Sequence, residues 1–282
     1  MRKIRIFPIV NNVFLVAIAL TMFLPFWHVL MYSFSPGADS ATVKFLFWID
    51  GFGLDGYKSV MQTDNILRAY LNTIIITNTG TFASVLCTAM AAYSLSKKNF
   101  VWRRFFTVFI FITMIFGGGL IPTYYVVRGL GLVDTLASMI IPRLVNAYYI
   151  ILMRNFFISL PASLEESAKI DGANDITVFF RLVVPISKPL IATMVLFHAV
   201  EYWNIWFDGL IYVNNRNLYP LQLVLRNILY QQDQIFAPGM MPAMAEVVKM
   251  ACIIVSTAPI LFAYPFLQKY FVKGIMIGAV KS

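Results

Sequence analysis

Six runs of mostly apolar residues dominate the chain, at about 9–32, 70–95, 105–127, 136–157, 189–212 and 247–268, each bounded by charge, glycine or proline. A helix needs about 20 such residues to cross about 30 Å of hydrocarbon, so the pattern predicts six spanning helices. The third run is interrupted by Gly117, Gly118, Gly119 and Pro122. Two readings fit it: a helix ending near the surface in a turn, or a break that lines a pathway. Non-helical backbone at depth is tolerated only where protein or a water-filled cavity covers it. After the fifth run, Leu221, Val224, Leu225, Ile228 and Leu229 recur on one helical face, and Pro220 stands where a helix can begin. This stripe predicts a helix lying in the membrane interface or packing on the spans. The text QQDQIFAPGMMP that follows reads as a flexible loop, and no internal repeat is evident. The other long connection, 33–69, carries aromatics, glycines and Asp39, Asp50, Asp55 and Asp64.

Composition agrees. Of 282 residues, 60% are hydrophobic and 12% charged, with a mean hydropathy of +0.75. Soluble domains carry about 25% charged residues, so the membrane class is favoured before any motif is read. The net charge of +9 reads as topology rather than as nucleic-acid binding, because cytoplasmic loops collect Lys and Arg. The loop KKNFVWRR (97–104) is the best single indicator, and it predicts both termini in the cytoplasm. The basic start Arg2, Lys3, Arg5 and the run from Ile9 to Tyr32 imitate a signal peptide. The run is too long for one and lacks a cleavage pattern, so it reads as a retained first span. Cys87 and Cys252 lie in apolar runs, and His28 and His198 are too few for a histidine-based metal site.

The most informative polar text lies between spans four and five, in residues 163–189. Ser163 and Glu166 form an S-x-x-E capping box, and Gly172 sits where a helix would end left-handed. Asn174 or Asp175 can cap a second helix, whose apolar face is Val178, Phe179, Leu182 and Val183. Pro185 ends that helix, and Ser187 with Pro189 opens the fifth span. The segment is long for a loop between packed spans, and its exposed carboxylates, small residues and aromatic face suit insertion into a groove.

The spacing of these residues resembles the signature of binding-protein-dependent ABC importer permeases: Glu-Ala-Ala, three residues, Gly, nine residues, then aliphatic-x-aliphatic-Pro. Glu166, Ser167 and Ala168 lead, Gly172 follows, and Leu182, Val183, Val184 and Pro185 close the pattern. Ser167 is the one departure, and its small side chain is expected to leave docking intact. EYWNIWFD (201–208) and the tail QKYFVKGIMIGAVKS resemble the carbohydrate branch. LPFWHVLMYSFS, GGGLIPTYYVVRGLGLVDT and YPLQLVLRNILY resemble a subgroup linked to complex or acidic oligosaccharides such as aldouronates and rhamnogalacturonan fragments.

The resemblance implies an all-α type I ABC importer permease fold: one transmembrane domain over 1–282, multi-pass in the cytoplasmic (inner) membrane. Its coupling helix would dock in a groove of an ATP-binding subunit, with Glu165 and Glu166 facing basic groups there. Asp171, Gly172 and Ala173 would form the corner, and Pro185 would pass motion to span five. Implied partners are a second permease in a heterodimer, two ATP-binding subunits carrying ATP and Mg, an extracytoplasmic solute-binding protein and an oligosaccharide cargo moved by alternating access. No cofactor would be bound by this chain.

The remaining residues carry little catalytic chemistry. Gly117–Gly119 leads to Leu120, Ile121 and Pro122, with no Lys-Ser/Thr of a phosphate-binding loop. No zinc-protease helix, nucleophile elbow or metal-ligand spacing appears, so no catalytic residue and no metal site is expected. Glu201 is the most unusual residue within a span, with His198 one turn earlier. The pair reads either as functional or as a satisfied polar contact at a helix interface. Tyr202, Trp203, Asn204 and Trp206 are either sugar-path residues or packing residues. Tyr124 and Tyr125 either line the outer mouth or mark an aromatic belt, the belt being favoured, and Asp208, nearer the outer end, reads as solvated. The rival readings are an ion-coupled secondary transporter, an importer permease for a non-sugar solute, and an intramembrane enzyme. The first would show more intramembrane carboxylates and an internal repeat. The enzyme would need a nucleophile beside His198 and Glu201.

Overall fold

The computed structural model describes residues 6–36, 48, 51–63, 65–234 and 242–279. Arg2, Lys3, Arg5, Asp39, Asp50, Asp64, most of the QQDQIFAPGMMP loop and the last three residues lie outside the described residues. Among those described, every regular element is helical. In chain order they are α1 (Ile6–Ser33), α2 (Asp55–Met61), α3 (Ile66–Ser96), α4 (Arg103–Ile115) and α5 (Leu120–Gly129). Two 3₁₀ turns, Leu136–Met139 and Ile141–Arg143, precede α6 (Ala147–Ile158) and α7 (Ala162–Ile170). Next come α8 (Asp175–Val178), a π-helical turn (Phe179–Val183), α9 (Val184–Ile186) and α10 (Lys188–Trp203). The chain ends with α11 (Phe207–Tyr212), a 3₁₀ turn (Arg216–Leu218), α12 (Leu221–Gln234) and α13 (Pro242–Ala279).

Three stretches are long and apolar enough to cross a membrane as single helices: Val10–Ser33, Ile66–Ser96 and Met244–Phe262. Three bent pairs would bring the total to six. The expected helix over 105–127 is instead α4 and α5, bent by 119°. The glycines explain the break. Gly119 has φ +82°, a left-handed conformation that glycine adopts without strain and that a continuous helix does not allow. The 136–157 run becomes the 3₁₀ turns and α6, bent by 49°. Pro142 sits in the second turn, and Asn146 restarts the helix by accepting the Tyr148 amide at 2.9 Å. The 189–212 run stops at Trp203. There the Val200 carbonyl accepts both the backbone N–H and the side-chain Nδ2 of Asn204, at 3.1 and 2.8 Å. The predicted amphipathic helix is α12, with Leu221, Val224, Leu225 and Ile228 buried. The short helix α2 has no counterpart in the sequence reading.

Packing divides the chain into two units: residues 1–66 with 224–259, and 67–223 with 260–282. In the first, Gly56 lets α2 seat against Val247, where a Cβ would approach to 2.9 Å. The Tyr57 hydroxyl bonds Ser33 Oγ at 2.8 Å. In the second, one apolar cluster gathers Tyr93, Met153, Phe157, Val178, Phe179, Val183 and Met194. Another gathers Ile76, Val127, Met139, Tyr202, Ile205, Tyr212 and Val213.

Candidate functional site

Segment 161–189 is built from the inside outward. The Ser163–Glu166 capping box is not formed: α7 begins two residues earlier, with Pro161 at the N-cap and no side-chain cap. Proline presets φ near −60° and has no N–H to leave unpaired, so it opens the helix and makes Ser163 an internal residue. At the other end Gly172 has φ +85°. Its N–H bonds the Lys169 carbonyl at 3.0 Å, and the Ala173 N–H bonds the Ala168 carbonyl at 3.0 Å. This is the paired Schellman closure, which needs a left-handed residue at the corner. Ala168 and Ala173 then pack together on the apolar cluster below. Asn174, rather than Asp175, caps the second helix by accepting the Thr177 amide at 2.8 Å. Asp175 instead pairs with Lys169 at 2.8 Å across the corner. That contact holds the Asp175 carboxyl below its ordinary value and the Lys169 ammonium above its own.

The second half is anchored by Val178, Phe179 and Val183, all buried. Phe179 lies 5.1 Å from the Tyr93 ring on α3. Pro185 has no N–H to give. The helix before it widens so that Val184 N–H reaches back five residues to the Phe179 carbonyl. Segments 175–186 and 188–203 then meet at 85°.

Cations fasten the segment to its neighbours. The carbonyl of Leu95, near the end of α3, accepts from both Arg103 and Arg154 at 3.1 Å. Lys97 lies 3.8 Å from the Tyr93 ring centroid and pairs with Glu165. Glu165 therefore does not face outward as expected; its carboxylate is taken by Lys97. Glu166, Ser167, Asp171, Gly172 and Pro185 are exposed. So are two isoleucines missed in the sequence: Ile170 at 86% and Ile176 at 69%, flanking the corner. Neither belongs to a periodic apolar stripe, which is why pattern reading passed over them.

At the end of α10, Tyr202 and Trp203 are packing residues. Tyr202 is 1% exposed, and its hydroxyl bonds Ser84 at 2.8 Å and the Ile140 carbonyl at 3.2 Å. Its ring fills the space where Gly80 has no Cβ. Asp208 is buried and paired with Arg143, not solvated. A separation of 65 residues hides that partner in the sequence. Glu201 and Asn204 stay exposed. Tyr149 donates to Glu201 Oε1 at 2.8 Å, and His198 Nδ1 lies 3.7 Å from Glu201 Oε2, outside hydrogen-bond range. His198 is fully buried, its ring set edge-on to Tyr149 at 4.9 Å. Among the described residues, no cluster of His, Cys, Asp and Glu forms a metal site.

No known family model matches the sequence. The polygalacturonan/rhamnogalacturonan transport system permease protein YtcP of Bacillus subtilis strain 168 is 40% identical over 285 residues, covering 99% of this chain and 100% of that protein. Protein LplC of the same organism is 42% identical over 282 residues, covering 99% of this chain and 96% of LplC. A chain from the crystal structure of a bacterial ABC transporter involved in import of the acidic polysaccharide alginate matches with a TM-score of 0.84. That pair is 34% identical, over 96% of this chain and 98% of the other.

Proposed function

The chain belongs to the permease proteins of ABC transporters, and from that membership we propose that it is the membrane-spanning subunit of an ATP-driven importer of complex or acidic oligosaccharides. The membership displaces the ion-coupled and enzymatic alternatives. The relatives' cargoes (polygalacturonan, rhamnogalacturonan and alginate) support the substrate class.

The observation that carries the mechanical part is the two-sided construction of segment 161–189. Its inner side is locked by the Val178–Phe179–Val183 cluster and the Lys97–Glu165 pair. Its outer side offers a carboxylate, Glu166, and the exposed side chains of Ile170 and Ile176. Exposed apolar side chains beside a charge, outside the spans, fit the groove of a partner protein. In this reading the partner is an ATP-binding subunit. Two such subunits hold ATP and Mg in the cytoplasm, on the same side as both termini of this chain. Their closure moves the segment, and Pro185 passes the displacement to α10. A second, related permease completes the path in the cytoplasmic membrane, and an extracytoplasmic solute-binding protein delivers the cargo. Glu201 and Asn204 are the exposed polar residues left to line that path.

Co-purification tests the coupling part. The ATP-binding subunit should stay with the wild-type complex and be lost on Glu166→Arg or Gly172→Pro. Uptake that persists after ATP depletion with the proton gradient intact would overturn the reading.

A further inference from the structure

Two arginines converge on one oxygen. α3 ends at Ser96, so the Leu95 carbonyl lies in its last turn, where carbonyls lack an intrahelical amide. Arg103 Nε, at the start of α4, and Arg154 Nε, on α6, both donate to it at 3.1 Å. The two Nε atoms are therefore no more than about 6 Å apart, close enough for the like charges to repel. Both side chains are half-buried, and among the described residues neither is in an ion pair. Glu165, on α7, is taken by Lys97. The end of a helix accounts for the two Nε bonds, because cations are favoured there. It does not account for the rest of each guanidinium. Nε is only one of its donors, and beyond it Arg154 Nη1 makes a long contact with Asn155 Oδ1, at 3.4 Å. The other Nη groups form two planar forks, the geometry that pairs with phosphate oxygens.

The surroundings indicate which phosphate. α3 is apolar and long enough to cross a membrane, and α4 opens the next apolar pair. The turn between them therefore lies at a membrane surface, whichever way the chain is oriented. No residue of α4 is buried, and Phe105, Phe109 and Ile112 are exposed along it. Trp102, 63% exposed, stands just before α4 and is a residue type that settles at headgroup level. An interfacial indole, a guanidinium fork and exposed aromatics thus follow one another within the first turn of α4. Exposed Lys98 and Arg104 add positive charge on the same turn. We propose that Arg103 and Arg154 together hold the phosphate of an anionic phospholipid whose acyl chains lie along α4. The bound phosphate neutralises two like charges and ties α3, α4 and α6 at one point.

The complete transporter is reconstituted in phosphatidylcholine vesicles doped with a phosphatidylglycerol that carries a photoactivatable diazirine beside its headgroup. Light should label this chain within residues 97–109. Unlabelled phosphatidylglycerol should compete the label away, and an equal addition of phosphatidylcholine should not. Glutamine places Nε2 at the same point along the side chain as arginine Nε. Arg103→Gln with Arg154→Gln therefore keeps donors for the Leu95 carbonyl and removes the forks and their charges. That pair should label about tenfold less than wild type. The charge-matched pair Arg128→Gln with Arg216→Gln, both exposed elsewhere, should label as wild type does. Unchanged labelling in the first pair, or equal loss in both pairs, overturns the site. Should the first pair fail to fold, competition in the wild type still decides. Failure of phosphatidylglycerol to compete overturns the proposal. Inorganic phosphate that competes as well as phosphatidylglycerol assigns the forks to a free anion and overturns the lipid. Labelling that appears only when the ATP-binding subunits are left out assigns the forks to those subunits and overturns it as well.

Discussion

Lys97 and Glu165 form an ion pair that ties the loop after α3 to the first turn of α7, with about a quarter of each side chain exposed (25% and 23%). The carboxylate also lies near the positive end of the α7 dipole. Partial exposure limits such a pair to about 1 kcal/mol. Lys97→Met or Glu165→Gln should therefore weaken retention of the ATP-binding subunit about threefold to fivefold without unfolding the chain. The swap Lys97→Glu with Glu165→Lys should restore most of it, measured by titrating the ATP-binding subunit onto purified permease.

Ile170 and Ile176 stand out from the segment, 86% and 69% exposed among the described residues. Burial of one such side chain stabilises by about 1.5–3 kcal/mol. Ile170→Ser and Ile176→Ser should each weaken ATPase docking about tenfold or more. The thermal midpoint of the permease alone should not change. A midpoint that falls in step with docking would mean these side chains serve the fold instead.

Gly172 is constrained by conformation and not by space, since a Cβ there would meet no atom within 4 Å. A β-branched residue at φ +85° is strained, whereas Asn visits this region readily. Gly172→Val should cost about 1–2 kcal/mol at the corner and impair ATP-dependent uptake; Gly172→Asn should retain most of it. Equal loss in the two variants would locate the requirement in side-chain size.

The Lys169–Asp175 contact has a defined pH window. Asp175 titrates below its ordinary 3.8, so its contribution is complete above that value and is lost as pH falls through the lower folded value. Lys169 titrates above its ordinary 10.5, so its contribution is complete below that value and is lost as pH rises through the higher folded one. Docking should be insensitive to this pair between about pH 5 and 9. It should respond to salt, because both groups are exposed. Asp175→Asn should abolish that part of the salt dependence in binding measured at about 0.05 and about 0.5 M salt, between which the screening length falls about threefold.

Gly80 and Tyr202 share one space: a Cβ on Gly80 would lie 2.7 Å from the tyrosine ring. Overpacking of this kind costs about 1–3 kcal/mol. Gly80→Ala should lower the thermal midpoint of the detergent-purified complex by several degrees. In a Tyr202→Leu background the same substitution should cost nothing further.

What the sequence disclosed followed how local each constraint is. Gly172 and the cap at Asn174 or Asp175 act within a few residues of themselves and are legible from spacing, whereas Pro185, expected to end the helix, lies in its last turn behind a π-helical turn. The capping box failed locally too, because Pro161 outcompeted Ser163 for the helix start. Contacts between distant residues were not legible. Asp208 with Arg143, Glu165 with Lys97 and Tyr202 with Ser84 each join different elements. No periodicity encodes such partners. Hydropathy located the apolar runs but not their bends. The 119° break after Ile115 and the unwinding at Asn204 depend on glycine freedom and side-chain competition, which hydropathy does not measure.

The 85° meeting of residues 175–186 and 188–203 makes a bell crank. At 1.5 Å per residue its two arms are about 18 and 24 Å long. A push on the short arm in one direction emerges from the long arm at nearly a right angle, enlarged by about a third. Pro185 and the widened turn before it sit at the elbow, where an ordinary helix would be stiffest. Glu201 rides near the tip of the long arm, so a displacement at the corner would carry its carboxylate at least as far as the corner itself moves.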